Sequence, residues 1–99
     1  MARSYYSDYV AHMMRFYILS VERPGVITTK VEKANVDSVK AVLSDFTKEE
    51  GDILLLLYDC EYLPQNVERV SNSRHLKTGY IWKLLAEFER RCARDRGLI

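Results

Sequence analysis

The side chains of this chain best suited to chemical contact are cations, and they are unevenly placed. Residues 1–31 carry four basic and two acidic side chains, a charge of +2. Residues 32–68 carry three and nine, a charge of −6, and residues 69–99 carry eight and three, a charge of +5. The overall charge of +1 therefore hides a basic C-terminal third. Arg and Lys at that density can neutralise phosphates. Arginine near the end of a last helix has a second use, complementing the helix dipole. Covalent chemistry has no comparable support. No nucleophile neighbours a base, no carboxylates pair in an apolar pocket context, and no glycine loop could cradle a phosphate. Glu49-Glu50 is accounted for by helix capping, and His12 has no second ligand at helical spacing. Cys60 and Cys92 are isolated thiols without metal-ligand spacing and read as buried small hydrophobes. The chain thus reads as a non-enzyme that needs no cofactor and no metal.

The element that must position the cations is the stretch Asn66 to Gly97, NVERVSNSRHLKTGYIWKLLAEFERRCARDRG. Its apolar residues fall at Val67 and Val70, then Leu76, Ile81, Leu84, Leu85, Phe88 and Cys92. From Ile81 onward this is the period of a helix with one buried face. Lys77 and Thr78 open that helix, and Gly97 followed by Leu98 suits a Schellman end. A short helix, a turn near Ser73–Leu76 and a long basic helix outline a helix-turn-helix. In that motif the second helix lies in the DNA major groove.

The rest of the chain reads as a platform, and the whole as one all-α domain over residues 1–99, with four to five helices and a long last helix. Its 99 residues, 47% hydrophobic, are enough for one core without disulfides. Residues 1–20 form an N-terminal helix capped at Ser4, with Tyr6, Tyr9, Val10, Met13, Met14 and Tyr17 on one face. A Tyr-rich stripe serves either as core or as a homodimer seam. Residues 21–34 read as an extended connector broken at Pro24-Gly25. Val26 to Val31 has strand composition but no second run to pair with, which leaves an extended link or an intermolecular strand.

Residues 35–99 form the last unit. Asn35 caps a short helix running to Asp45, with Val36, Val39, Ala41, Val42 and Leu43 as its apolar set. Thr47 and Glu50 make a capping box, while Gly51 gives Phe46 nothing to staple against. The helix from Lys48 to about Cys60 carries Ile53 to Leu57, read as buried nearly all round and as the centre of the core. Tyr62-Leu63-Pro64 ends the following link, and Pro64 or Gln65 starts the next helix. No apolar run is long enough to span a membrane, and MARSYYSDYV has neither a signal-peptide core nor a cleavage site, so the expectation is a cytoplasmic protein without a membrane partner.

The run from Val39 to Ala93 resembles region four of sigma-70 family RNA polymerase sigma factors, which reads the upstream promoter hexamer. The features are an acidic helix ending in a Leu-rich stretch and a Tyr, LSDFTKEEGDILLLLYD, then NVERVSNS, then KTGYIWKLLAEFERRCARDRG with its Arg-rich tail. The whole chain is similar to short sigma-like proteins of phages and conjugative elements of Gram-positive bacteria, through MARSYYSDYV, Asn66-Val67, the IWKLL run and the terminal RGLI. The resemblance implies that Val67, Val70, Leu76 and Ile81 are packing positions and that Arg74, Lys77, Thr78, Tyr80 and Lys83 face double-stranded DNA. For Arg90, Arg91 and Arg94 it leaves phosphate contact or solvation open, and Glu87 can pair with Arg91 at i,i+4. The turn departs from the family pattern because Ser73-Arg74-His75 holds no glycine, and Asn72 is the residue suited to a left-handed conformation. Gly79 weakens the first turn of the reading helix but permits close backbone approach. The chain has no counterpart of the larger sigma segments that bind the polymerase core and melt DNA.

Two functions remain open at this stage. One is a DNA-binding transcription regulator, or sigma-like accessory factor, of a mobile element. The other is a protein-interaction module of the same shape that binds RNA polymerase or another protein. Trp82 separates them: buried, it belongs to the core of the reading helix, whereas exposed beside Tyr80 and Tyr5 it would mark an aromatic protein interface.

Overall fold

A computed structural model describes residues 4–59 and 63–99, and among these it holds five α-helices, one short 3-10 turn and no strand. The helices are α1 (Ser7–Glu22), α2 (Lys30–Leu43), α3 (Lys48–Leu57), α4 (Leu63–Arg74) and α5 (Thr78–Asp95), with the 3-10 turn at Pro24–Val26. The all-α architecture with a long last helix is as the sequence implies. The readings placed on Cys60 and Tyr62 lie outside the described residues.

The N-terminal half differs from expectation, and the reasons are local. Ser4 is not the cap of α1: Tyr6 occupies that position without a side-chain bond, and Ser4 offers its carbonyl to the Ser7 N–H at 3.0 Å. The connector is shorter than residues 21–34, because α1 runs on to Glu22 and α2 starts at Lys30. A second capping box, Thr29-Lys30-Val31-Glu32, opens α2 (Glu32 N–H to Thr29 Oγ1, 3.1 Å; Thr29 N–H to Glu32 Oε1, 3.0 Å). Glu32 also accepts from the Thr28 backbone N–H and hydroxyl, and that backbone bond is the leading reason its carboxyl lies below the ordinary value. These bonds outweigh the strand propensity of Val26 to Val31, and Val31 ends up exposed on a helix. Thr47 and Glu50 open α3 by the same geometry, as expected.

Asn35 is not a cap either. It lies inside α2, 5% exposed, and its Oδ1 accepts from the Tyr9 hydroxyl (3.2 Å) and from Arg96 Nε (2.8 Å). Ser38 Oγ donates to Asp95 Oδ2 at 2.5 Å, and the Tyr5 hydroxyl donates to the Leu98 carbonyl at 2.8 Å. Together these bonds tie the C-terminal end of α5 to α1 and α2. The Schellman end is present: Gly97 has φ 75°, Leu98 N–H meets the Ala93 carbonyl at 2.7 Å and Gly97 N–H meets that of Arg94 at 3.1 Å.

The centre of the core is α5 rather than α3, since α5 packs against each of the other four α-helices. Its face Ile81, Leu84, Leu85, Phe88, Cys92 is buried, and Phe88 meets the rings of Phe46 and Tyr58, both at 6.2 Å between centroids. Helix α3 buries only Ile53, Leu54 and Leu57; Leu55 is half-buried and Leu56 is 40% exposed. Within α2, Val36, Val39 and Val42 are buried as read, but Ala41 is exposed. Asn66, fully buried at the start of α4, donates from Nδ2 to the Leu57 carbonyl at 2.7 Å and so satisfies a free carbonyl at the end of α3. Leu54→Ala should destabilise the protein by about 2–5 kcal/mol, against about 0.5 kcal/mol for Leu56→Ala. Urea unfolding of both variants checks this, and equal losses would contradict the one-sided burial of α3.

Candidate nucleic-acid interface

Three residues, His75, Leu76 and Lys77, join α4 to α5. The left-handed position that a glycine usually fills is taken by His75, φ 56°, and not by Asn72, which stays within α4. The turn is closed by Ser71. Its carbonyl accepts the Leu76 N–H at 3.1 Å and its hydroxyl donates to the Leu76 carbonyl. This is a Schellman closure built on histidine, a residue that visits the left-handed region more readily than most.

The buried stripe of α5 decides what its other side presents. With Ile81, Leu84 and Leu85 turned inward, Lys77, Thr78, Gly79, Tyr80 and Lys83 are exposed, and Arg74 is exposed at the end of α4. All five sequence-predicted DNA-facing residues therefore lie outside the core, around the turn and the first turns of α5. Among the described residues, no ion pair holds Arg74, Lys77 or Lys83. A methyl group at Gly79 would meet nothing within 4 Å, so the backbone there is open to a ligand. Lys77 is the N-cap but makes no side-chain cap bond, and no acidic residue sits in the first turn of α5. This leaves N–H groups and the positive end of the helix dipole facing outward.

Farther along α5, Arg90 and Arg91 are committed within the protein. Glu87 accepts from Arg90 Nη2 at 2.6 Å and from Arg91 Nε at 2.8 Å, so the expected i,i+4 pair has an i,i+3 companion. Arg91 also reaches Asp45 at 3.8 Å, and its guanidinium lies 5.1 Å from the centroid of the Phe46 ring. Both keep about two-fifths of the side chain exposed, 40% for Arg90 and 39% for Arg91, and Arg94 is exposed. Sequence periodicity signals the Glu87–Arg91 spacing, but the Phe46 contact joins distant residues and carries no local signal.

No protein family, curated protein or solved structure matches the chain.

The remaining singled-out residues find structural roles. Trp82 is half-buried against the core, while Tyr80 is 44% exposed. Tyr5 is 81% exposed, but it sits by Leu98, beyond the far end of α5. The length of that helix is roughly 25 Å at 1.5 Å per residue, so Tyr5, Tyr80 and Trp82 form no common aromatic patch. Tyr6 and Tyr17 pack on the core of the same chain, and His12 is exposed. Cys92 is buried, and burial, with help from Asp95 and Glu89, pushes its thiol up to about 12. Among the described residues, no helix is long and apolar enough to cross a membrane, and no cluster of His, Cys, Asp or Glu could hold a metal.

Hydrogen bonds from Arg90 and then Arg91 hold the Glu87 carboxyl at about 2, below its ordinary 4.5. A folded-state value below the unfolded one stabilises above the unfolded value, and that stabilisation is lost as pH falls from 4.5 through about 2. The stability advantage of the wild type over Glu87→Gln should therefore shrink across this window, as read by urea midpoints. A constant difference would mean that the bridge contributes nothing, as many partly exposed pairs do. His75→Gly should raise stability by about 0.5–1 kcal/mol, the left-handed penalty less the added chain entropy of glycine. A lower melting temperature in the variant would contradict a strained His75.

Proposed function

We propose that the chain is a DNA-binding transcription regulator or sigma-like accessory factor, of the kind its sequence resembles in phages and conjugative elements, and that it acts in the cytoplasm. The observation that carries this reading is the composition of one surface. Among the described residues, Arg74, Lys77 and Lys83 are exposed and in no ion pair around the open N-terminus of α5, whereas of the three acids of that helix Glu87 is held by two arginines, Glu89 is buried, and Asp95, exposed at the far end, accepts a hydrogen bond from Ser38. In this reading the first turns of α5 enter the major groove. Lys83 and Arg74 reach guanine edges or phosphates, Thr78 a phosphate or thymine methyl, and Tyr80 the backbone. The outward N–H groups at Thr78 and Gly79 add phosphate contacts. Arg94 extends the phosphate-facing surface, while Arg90 and Arg91 contribute mainly by cancelling Glu87.

One such unit offers few base contacts, so useful specificity calls for a second copy or a polymerase partner on adjacent DNA. The second reading, a module that binds RNA polymerase or another protein in place of DNA, is favoured by one feature, an apolar groove that meets this surface only at Arg74.

The test is fluorescence anisotropy with pooled double-stranded DNA over a salt series. Wild-type affinity should fall steeply with salt, and a Lys77→Ala, Lys83→Ala double variant should bind more weakly, with a log–log slope shallower by about 2. A folded wild type that does not bind at low salt would reject DNA as the ligand. A double variant with unchanged affinity and slope would reject this face.

A further inference from the structure

Between the C-terminal half of α1 and α3 runs an open groove of about 500 Å³. Tyr17, Ile18 and Leu55, all half-buried, form its apolar floor with Val21 (63% exposed) and Leu56 (40% exposed). Large aliphatic side chains left in water on two adjacent helices mark a surface that gains by being covered. The charges along it are three carboxylates, Glu22, Asp52 and Asp59, against one guanidinium, Arg74. Glu22, Asp59 and Arg74 are exposed, and the Asp52 side chain is 45% exposed although it pairs with Lys48 at 3.5 Å. The lining is thus mainly apolar, and its charged groups are solvent-exposed rather than buried. That is the layout of a groove for a helix rather than of a small-molecule site.

Charge selects the occupant. A second copy docked groove to groove would bring two sets of carboxylates together, which like-charge repulsion opposes. We propose that the groove docks an amphipathic helix of a protein partner whose apolar stripe is flanked by Lys or Arg. Its anchors at i, i+3, i+4 and i+7 would lie between α1 and α3, and its cations would meet Glu22, Asp52 and Asp59. Because Arg74 borders both the groove and the proposed DNA face, the partner would be held beside the DNA. Apart from Arg74 the two surfaces share no residue, so this inference does not rest on DNA binding.

The probe is a synthetic amphipathic peptide of about 15 residues with Leu at helical spacing and Lys flanks, compared with a Glu-flanked peptide and a scrambled Lys peptide. Each is titrated into the full chain and followed by anisotropy and amide chemical-shift mapping. The Lys-flanked peptide should bind, with shifts centred on Ile18, Val21, Leu55 and Leu56. Val21→Asp with Leu56→Asp should weaken it by roughly tenfold or more, and Glu22→Lys with Asp59→Lys should transfer preference to the Glu-flanked peptide. Circular dichroism verifies that the variants are folded, and retained DNA affinity separates a loss here from a loss at the other face. Equal binding of Lys- and Glu-flanked peptides, equal binding of the scrambled peptide, shifts elsewhere, or no binding would overturn the proposal. So would a dimer in sedimentation that Leu56→Asp dissolves, because the occupant would then be a second copy.

Discussion

The burial of one stripe of α5, from Ile81 through Leu84, Leu85 and Phe88 to Cys92, is the contact on which the other four helices depend. Each of them packs against it, so α5 cannot turn about its own axis without disturbing every helix interface it makes. Dense packing makes such rotation costly. The same constraint sets the direction of its outer residues: once Ile81 and Leu85 are inward, Lys83 has to point out. Interior apolar contacts thereby fix the placement of exposed cations, and no salt bridge is needed to aim them.

Electrostatics then divides the helix ends by use. The N-termini of α2 and α3 are closed by the protein's own Thr and Glu side chains, which satisfy N–H groups and place a carboxylate on the dipole. Helix α5 has neither device at its start, while its other end is held by Gly97, by the Tyr5 hydroxyl donating to the Leu98 carbonyl and by Arg96 donating to Asn35 Oδ1. Helix capping thus serves structure at the starts of α2 and α3, whereas α5 starts without a cap on the surface that carries Arg74, Lys77 and Lys83.

Much of this was legible in the sequence where the cause is local. The spacing from Ile81 to Cys92, the Thr47–Glu50 box and the Gly97–Leu98 end each depend on residues a few positions apart, and each appears as read. The exposure of the candidate interface follows from the same periodicity. The start of α2 was equally local, in Thr29 and Glu32, but the β-branched run around it suggested an extended chain. Other features have no local signature. Asn35 is buried because Tyr9 and Arg96, far away in sequence, both donate to it. Leu56 is exposed because, among the described residues, no helix covers that side of α3. His75 rather than Asn72 takes the left-handed position because α4 continues through Asn72 to Arg74 and the turn closes three residues later, with Leu76 N–H on the Ser71 carbonyl.

The bond from Tyr5 to the Leu98 carbonyl joins positions 93 residues apart, whereas α1 with α2, α3 with α4, and α4 with α5 are packed neighbours in sequence. Loop-closure entropy rises with the length of chain enclosed, so it favours forming the sequence-neighbour pairs before the two ends meet. The fold thus contains two short-range assemblies, an α1–α2 pair and an α3–α5 trio, that join along one seam on α5. Asn35, Ser38 and Tyr5 are the fasteners of that seam, and weakening them would loosen the joint between the assemblies before it reached the turn that presents Lys77.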